Sequence, residues 1–287
     1  MRVLVTGHRG FTGRYLLAEL QAHGHEPVGL TSNLLDETAL AAEIAACRPE
    51  AVVHLAAVAF VAHGNANDFY RTNLIGTRNL LAALAAANAP LTAVLLVSSG
   101  NVYGNTTANP ITETTSPNPT NDYAVSKLAM EQMARLWQPH LPILIARPFN
   151  TTGVGQPTHY LIPKLVAHFQ MRAPEIELGN LDVWRDYSDV RAVVAAYRRL
   201  IEHPAVGATV NICSGTTHSV REILALLERL TGHTLTVRTN PALIRANEVT
   251  HLCGSNALLK ELIGPWRTPP LEETLAWMLQ HPLHTQL

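Results

Sequence analysis

Three glycines directly behind the first apolar run constrain this chain more than any other feature. Val3-Leu4-Val5 leads into Thr6-Gly7-His8-Arg9-Gly10-Phe11-Thr12-Gly13-Arg14, a GxxGxxG pattern at a strand-to-helix junction. Glycines so placed permit a tight turn, close backbone approach to a pyrophosphate, and close packing of helix on strand. A helix starting here also offers unpaired N–H groups and the positive end of its dipole to a phosphate. The plain alternative is a glycine-bearing turn with no ligand, since short glycine patterns recur by accident. Its place at the first strand–helix junction weighs against accident.

The rest of the chain fits such a junction. Val3–Val5, Val28–Leu30, Val52–Leu55, Val94–Val97 and Ile143–Ala146 read as buried strands. Between them, Arg14–Ala22, Glu37–Ala46, Thr72–Ala87 and Ala124–Leu136 carry apolar residues at helical spacing. This alternation predicts an α/β fold, a Rossmann-type doubly wound parallel sheet with ligands at the carboxyl ends of its strands. After Arg147-Pro148 the pattern changes. A loop over Thr151–Thr158, a helix over Ile162–Gln170, a loop over Ala173–Asp186 and a helix over Val190–Glu202 follow. A strand over Thr209–Cys213 and helices over Ser219–Thr231 and Leu271–Gln280 complete the series; Ser219 with Glu222 begins the first of these as a capping box. The reading is a dinucleotide-binding domain over 1–148, to which part of 183–212 returns, and a smaller C-terminal substrate-binding lobe over 149–287, interleaved with it.

Composition removes several classes. The net charge is -1 over 287 residues, with no basic stripe, so nucleic acid is not an expected partner. No apolar run reaches the roughly 18 residues of a membrane helix, and the first glycine comes too early for a signal-peptide core. Cys47, Cys213 and Cys253 are odd in number and far apart, which fits neither a disulfide framework nor a zinc knuckle. His8, His54, His63 and His159 show no HxH or HExxH spacing and are read as packing or surface residues, so no metal is expected. The expectation is a cytoplasmic protein of a reducing compartment, with no membrane partner.

The second strand bears on cofactor choice. An NAD site usually places an acid there for the ribose 2′-hydroxyl, but Gly29-Leu30-Thr31-Ser32-Asn33 contains none. Arg9 offers instead a bidentate partner for a 2′-phosphate, or else is an exposed loop arginine. NADP(H) is therefore favoured, with NAD(H) open, and Asn33 and Leu34 fall beside the adenine by position.

Tyr123 and Lys127 stand four residues apart, on one helix face. A nearby ammonium favours phenolate and lowers a tyrosine pKa, as proton transfer near neutral pH requires. The strand Val94–Val97 ends in Ser98-Ser99, and Ser99 offers a hydrogen bond to a reacting oxygen. Taken alone, a YxxxK pair is more simply a tyrosine packed on a lysine stem.

The set Thr6–Gly13 (TGxxGFxG), His54–Ala57 (HLAA), Ser98–Gly104 (SSxxxYG), Tyr123–Lys127 (YxxxK) and Arg147–Asn150 (RPFN) resembles the extended short-chain dehydrogenase/reductase family, in its branch acting on nucleotide sugars. The resemblance covers nearly the whole chain. It implies Ser99, Tyr123 and Lys127 as catalytic triad and Asn73 as a supporting active-site residue. It also implies a cofactor held by Gly7, Arg9, Gly10, Phe11, Gly13, Leu55, Ala56, Ala57, Tyr123, Lys127 and Pro148.

Residues 147–156 and 179–190 are similar to the corresponding loops of GDP-4-keto-6-deoxy-mannose reductases, and Arg245–Val249 resembles their RPxEV segment. That implies Asn150, Arg185 and Arg245 on the diphosphate and Glu248 on the nucleoside. Guanidinium groups suit phosphate, and a carboxylate can accept from guanine; any one of these arginines alone reads as a surface ion pair. Dehydratases of the family need an acid where this chain has Asn101, which cannot donate a proton as a carboxylic acid does. The reductases often carry an acid there too, so Asn101 departs from both, and Phe60 replaces a small polar residue. The resulting expectation is NAD(P)H-dependent reduction of the C4 ketone of a nucleoside-diphosphate 4-keto-6-deoxy sugar, GDP-4-keto-6-deoxy-mannose to GDP-rhamnose. A 4-epimerase with tightly bound NAD and a non-catalytic NAD(P) sensor stay open. The resemblance further implies a homodimer through a four-helix contact of Thr72–Ala87 and Ala124–Leu136.

Overall fold

Val3, Leu4 and Val5 divide between two cores: Val3 and Val5 belong to one apolar cluster and Leu4 to another. A strand buried on both faces belongs inside a parallel sheet. The computed structural model, which describes residues 1–59, 65–244 and 249–281, puts it there.

The first half runs β1 (Arg2–Thr6), α1 (Phe11–Ala22), β2 (Glu26–Gly29), α2 (Glu37–Cys47) and β3 (Ala51–His54). A short α3 (Ala66–Phe69) and a π-type turn over Tyr70–Gly76 lead into α4 (Thr77–Ala87) and β4 (Ala93–Val97). Then come α5 (Asp122–Arg135) and β5 (Ile143–Pro148). The second half holds β6 (Asn150–Thr152), α6 (Leu161–Gln170), β7 (Glu175–Leu178), β8 (Trp184–Asp189), α7 (Val190–Glu202) and β9 (Thr209–Ile212). It ends with β10 (Thr217–Ser219), α8 (Val220–Thr231), β11 (Thr236–Thr239), β12 (His251–Leu252), α9 (Ala257–Ile263) and α10 (Leu271–Gln280).

The main sheet has the order β2-β1-β3-β4-β5-β9, all parallel. Leu40 and Ile44 of α2, Leu80 and Leu84 of α4 and Met130 of α5 cover one face. Leu16 and Leu20 of α1, Val193 and Tyr197 of α7 and Leu259 of α9 cover the other. This is the Rossmann-type doubly wound arrangement. The chain reverses its direction of travel across the sheet between β1 and β3, where a crevice opens at the carboxyl ends. Both the glycine loop after β1 and Leu55–Ala57 after β3 leave the sheet at that point.

The smaller lobe is built on β8, which pairs with β10, β12 and β6, while β7 pairs with β11. α6, α8 and α10 enclose its apolar core around Phe169, Ile223 and Leu275. Here the sequence reading needs correction. The loop expected over Ala173–Asp186 contains β7 and the first half of β8, and the loop expected from Thr151 opens inside β6. β7 alternates exposed and buried residues, but over four positions only. β8 buries Asp186, Ser188 and Asp189, so hydropathy hides it. The helix expected over Thr72–Ala87 also opens as the wider π turn, and α4 begins at Thr77. Among the described residues no helix is long and apolar enough to cross a membrane.

Candidate active site

The glycine loop has the shape its composition requires. Gly7 has φ +69°, and a Cβ there would lie 2.8 Å from the Ala56 amide nitrogen. A Cβ on Gly13 would strike the Gly7 carbonyl oxygen and come within 2.7 Å of His8 Cα, so α1 packs against the loop only because both positions lack side chains. Gly10 caps α1 with no side-chain hydrogen bond and no acid in the first turn. The leading N–H groups of α1 therefore face the crevice without an internal anion.

One buried chain of hydrogen bonds holds the facing loop. Thr77 Oγ1 donates to the Asn73 carbonyl (2.7 Å) and lies 2.8 Å from His54 Nε2. Burial pulls His54 down to about 3, with the Lys127 charge adding to the effect, so its ring is neutral. Nε2 then carries the hydrogen, Nδ1 accepts from Thr6 Oγ1 at 2.7 Å, and Thr6 Oγ1 accepts from the Ala56 amide at 3.0 Å. His54 is thus a packing residue with a task, fixing the segment that follows β3.

Glycine loop, strand ends and smaller lobe enclose one cavity of about 640 Å³. β4 ends at Val97, and Ser99 follows with its Oγ accepting from the Asn101 amide at 3.1 Å. Across from it, Asn121 caps α5 by accepting from the Ala124 amide at 2.9 Å. That cap puts Tyr123 in the first turn, where its hydroxyl faces the Ser99 side chain, which draws its pKa down. Lys127 stands one turn on, 3% exposed, and donates from Nζ to the Val97 carbonyl at 2.8 Å. All three line the cavity.

The electrostatics differ from the sequence expectation. Burial pushes Tyr123 up to about 12, although Ser99 draws it down. Lys127 is not among the causes of the Tyr123 shift, so the expected lowering is absent and burial dominates. Burial likewise pulls Lys127 down to about 8, against Glu131, which raises it. Tyr123 is a protonated acid at neutral pH.

Other predicted residues fall in three groups. Gly7, Gly10, Phe11, Gly13, Leu55, Ala57, Pro148, Asn101, Asn150 and Arg185 line the cavity. Asn150 Nδ2 also donates to the Asp186 carbonyl at 3.3 Å, and Arg185 donates to the Trp184 carbonyl at 2.9 Å. Asn73 is fully buried and acts on the frame. It accepts from the Val58 amide at 2.9 Å and donates to the Val58 carbonyl and to Ser126 Oγ of α5. Ala56 acts through its backbone, Leu34 packs in the core beneath α2 and α4, and Asn33 is exposed, its side chain closing a turn onto the Leu35 amide. Arg9 is exposed on the loop and Phe60, His63, Arg245 and Glu248 lie outside the described residues. No group of His, Cys, Asp or Glu suited to a metal occurs among the described residues.

Sequence reasoning missed several lining residues: Phe149, His159, Tyr160, Tyr187 and Tyr197. His159 is exposed, in keeping with a surface residue, and packs beside Tyr160 with ring centroids 4.5 Å apart and planes tilted by 38°. These aromatics lie on separate elements, so no spacing announced them. A buried frame also went unread. Arg147 meets Glu131 through Nε (2.9 Å) and Nη2 (2.6 Å), and Glu131 accepts from Ser98 Oγ at 2.5 Å. It joins β4, α5 and β5 directly behind Ser99, Lys127 and Pro148.

Residues 3–213 match the family model described as the NAD dependent epimerase/dehydratase family. A GDP-6-deoxy-D-talose 4-dehydrogenase from Aggregatibacter actinomycetemcomitans is 34% identical over 92% of both chains. A GDP-6-deoxy-D-mannose reductase from Pseudomonas aeruginosa is 38% identical over 93% of this chain and 91% of its own. Among solved structures, a protein from Burkholderia cenocepacia J2315 is 49% identical with a TM-score of 0.91, covering 97% of both chains. RMD from Pseudomonas aeruginosa, complexed with NADPH, is 35% identical with a TM-score of 0.88 and the same coverage.

Proposed function

Because this chain belongs to the NAD dependent epimerase/dehydratase family, we propose that it reduces the C4 ketone of a nucleoside-diphosphate 4-keto-6-deoxy sugar. The substrate in this reading is GDP-4-keto-6-deoxy-mannose and the product GDP-rhamnose. The carrying observation is the meeting of Tyr123 and Ser99 on one cavity wall, with Lys127 one helical turn on and lining the same cavity. Two relatives whose names place chemistry on GDP-6-deoxy sugars support the substrate class.

The glycine loop fits a dinucleotide, since Gly7, Gly10 and Gly13 line the cavity and the first turn of α1 meets it with no side-chain cap and no acid of its own. When bound, the nicotinamide supplies the hydride to sugar C4. Tyr123, protonated at neutral pH, gives the proton to the sugar oxygen, so that the ketone becomes a hydroxyl. Ser99 orients and stabilises that oxygen as charge develops on it. Lys127 offers its ammonium to the ribose hydroxyls. Arg185 and Asn150, on the same wall, hold the diphosphate. Asn101, an amide where elimination would need an acid, keeps the chemistry to proton and hydride transfer at C4. The reading includes a cytoplasmic homodimer joined through α4, the turn before it and α5, whose outer faces carry exposed Ile75, Val125 and Leu136.

The test is incubation of the purified protein with GDP-4-keto-6-deoxy-mannose and either NADPH or NADH. Loss of nicotinamide absorbance with GDP-rhamnose as product, identified by NMR, is the expected result. No oxidation of either cofactor refutes the reading. A product with the opposite configuration at C4 keeps the reaction but changes the sugar. Interconversion of sugars with no added cofactor identifies a 4-epimerase instead.

A further inference from the structure

Glu43, on α2, has no part in the chemistry described so far. Its carboxylate reaches back over the turn that follows β2. One oxygen accepts from the Thr31 amide at 2.8 Å and the Thr31 hydroxyl at 2.9 Å. The other accepts from the Ser32 amide at 2.7 Å and the Ser32 hydroxyl at 2.5 Å. Two consecutive residues thus turn four donors onto a single anion. Partial burial pushes the Glu43 carboxyl up, but the bonds from Ser32 and Thr31 outweigh it and hold the group below its ordinary value, with no cation among the causes. The turn is an anion seat, and Glu43 sits in it.

Its position gives the seat a meaning. β2 lies beside β1, with Gly29 opposite Val5, and β1 runs straight into the glycine loop. His8 of that loop packs its ring on Gly29, so that a Cβ there would lie 2.5–2.7 Å from ring atoms, and its Nδ1 is buried without a hydrogen-bond partner. A dinucleotide with its pyrophosphate on the loop sets its adenosine ribose at the end of this neighbouring strand. NAD(H) presents a 2′-hydroxyl there and NADP(H) a 2′-phosphate. A hydroxyl can donate to a carboxylate, whereas a phosphate needs the donors that the carboxylate already holds and is repelled by its charge.

We infer that Glu43 sets the cofactor preference of this protein, filling the Thr31–Ser32 anion seat so that NAD(H) is admitted and NADP(H) disfavoured. The inference rests on the dinucleotide-binding reading above. It reverses the sequence expectation, which favoured NADP(H) because Gly29–Asn33 has no acid; the acid comes from the following helix. Arg9, exposed on the loop, becomes a phosphate partner only once the seat is empty.

The test is direct binding of NADH and NADPH to the wild-type protein and to Glu43→Gln, followed by nicotinamide fluorescence without sugar substrate. Wild type is expected to bind NADH about tenfold more tightly than NADPH, a factor equal to about 1.4 kcal/mol. Glu43→Gln is expected to move that ratio toward NADPH by a similar factor, chiefly by tightening NADPH. Adding Ser32→Ala should abolish the gain by removing a phosphate donor. A wild type that prefers NADPH overturns the inference whatever the variants do. So does a variant with an unchanged ratio, or with both affinities lowered equally and a reduced Tm, which makes Glu43 a brace for the turn. Failure of both dinucleotides to bind wild type overturns the functional reading along with the inference.

Discussion

Lys127 reaches past its own helix to donate from Nζ to the Val97 carbonyl, 2.8 Å away, tying α5 to the last residue of β4. The bond sets an ammonium under the wall where Tyr123 and Ser99 meet. It also leaves that ammonium nine-tenths or more out of water, and two of its consequences can be measured.

The first is pH dependence. Burial pulls Lys127 down to about 8 while Glu131 holds it up, and burial pushes Tyr123 up to about 12. Dinucleotide affinity and kcat/KM should therefore fall, with loss of one proton, as pH rises through about 8. Lys127→Arg, whose guanidinium stays charged, should move that limb upward. Stability runs the other way. The folded-state pKa is below the ordinary value of 10.5, so between about 8 and 10.5 the unfolded chain binds more protons at Lys127, and the Lys127 contribution to stability should rise with pH across that window. The raised thiol of Cys213 and phenol of Tyr123 act the other way, so the contribution is read as the difference between wild type and Lys127→Met. Urea titrations at the two ends check the sign.

Tyr123→Phe removes the proton donor and leaves the ring in its packing against Phe69, at a centroid distance of 6.0 Å. The expected loss in kcat is about 10²- to 10⁴-fold, with NADH affinity kept within about threefold. Retention of wild-type kcat would remove Tyr123 from the chemistry.

The Glu131–Arg147 pair is buried on both sides, at 0% and 3% exposure, with 2.6 Å between Glu131 Oε2 and Arg147 Nη2. Arg147→Met strands a carboxylate inside the protein, with an expected cost of about 3–5 kcal/mol. Urea denaturation reads it directly, and a cost below about 1 kcal/mol would mean that the frame behind Ser99 is dispensable.

The outer face of α5 carries Val125 at 39% exposure, near Ile75 at 45% on the turn before α4. If these faces join two copies, Val125→Asp should convert a dimer to a monomer in sedimentation with little change in Tm. A wild type that sediments as a monomer contradicts the proposed contact.

What the sequence disclosed follows from how each part is encoded. The parallel sheet was legible because its strands are short apolar runs separated by helices of apolar periodicity, and β1 shows it in three residues. Gly7 and Gly13 were legible because backbone crowding leaves no other residue, whereas Gly10 is only tight, its Cβ position 3.2 Å from the Gly7 carbonyl oxygen. The proposed catalytic wall was legible because Tyr123 and Lys127 share one helix and Ser99 follows the end of one strand. β8 was hidden by its own polarity, since Asp186 turns inward to accept from the Ser214 and Gly215 amides at 2.7 and 2.9 Å. Glu43 was hidden differently: the spacing rule looks for an acid at the end of β2, and this acid arrives there by folding back from α2. The Tyr123 pKa was misjudged because spacing gave its neighbour but not how deeply both groups are buried.

The most direct measurement follows the transferred hydrogen. Reduction of GDP-4-keto-6-deoxy-mannose with a nicotinamide cofactor deuterated at its transferable position should place one deuterium on sugar C4, and Tyr123→Phe should all but abolish the transfer. A reduced or isomerised sugar without deuterium at C4, or transfer undiminished in the variant, contradicts the account.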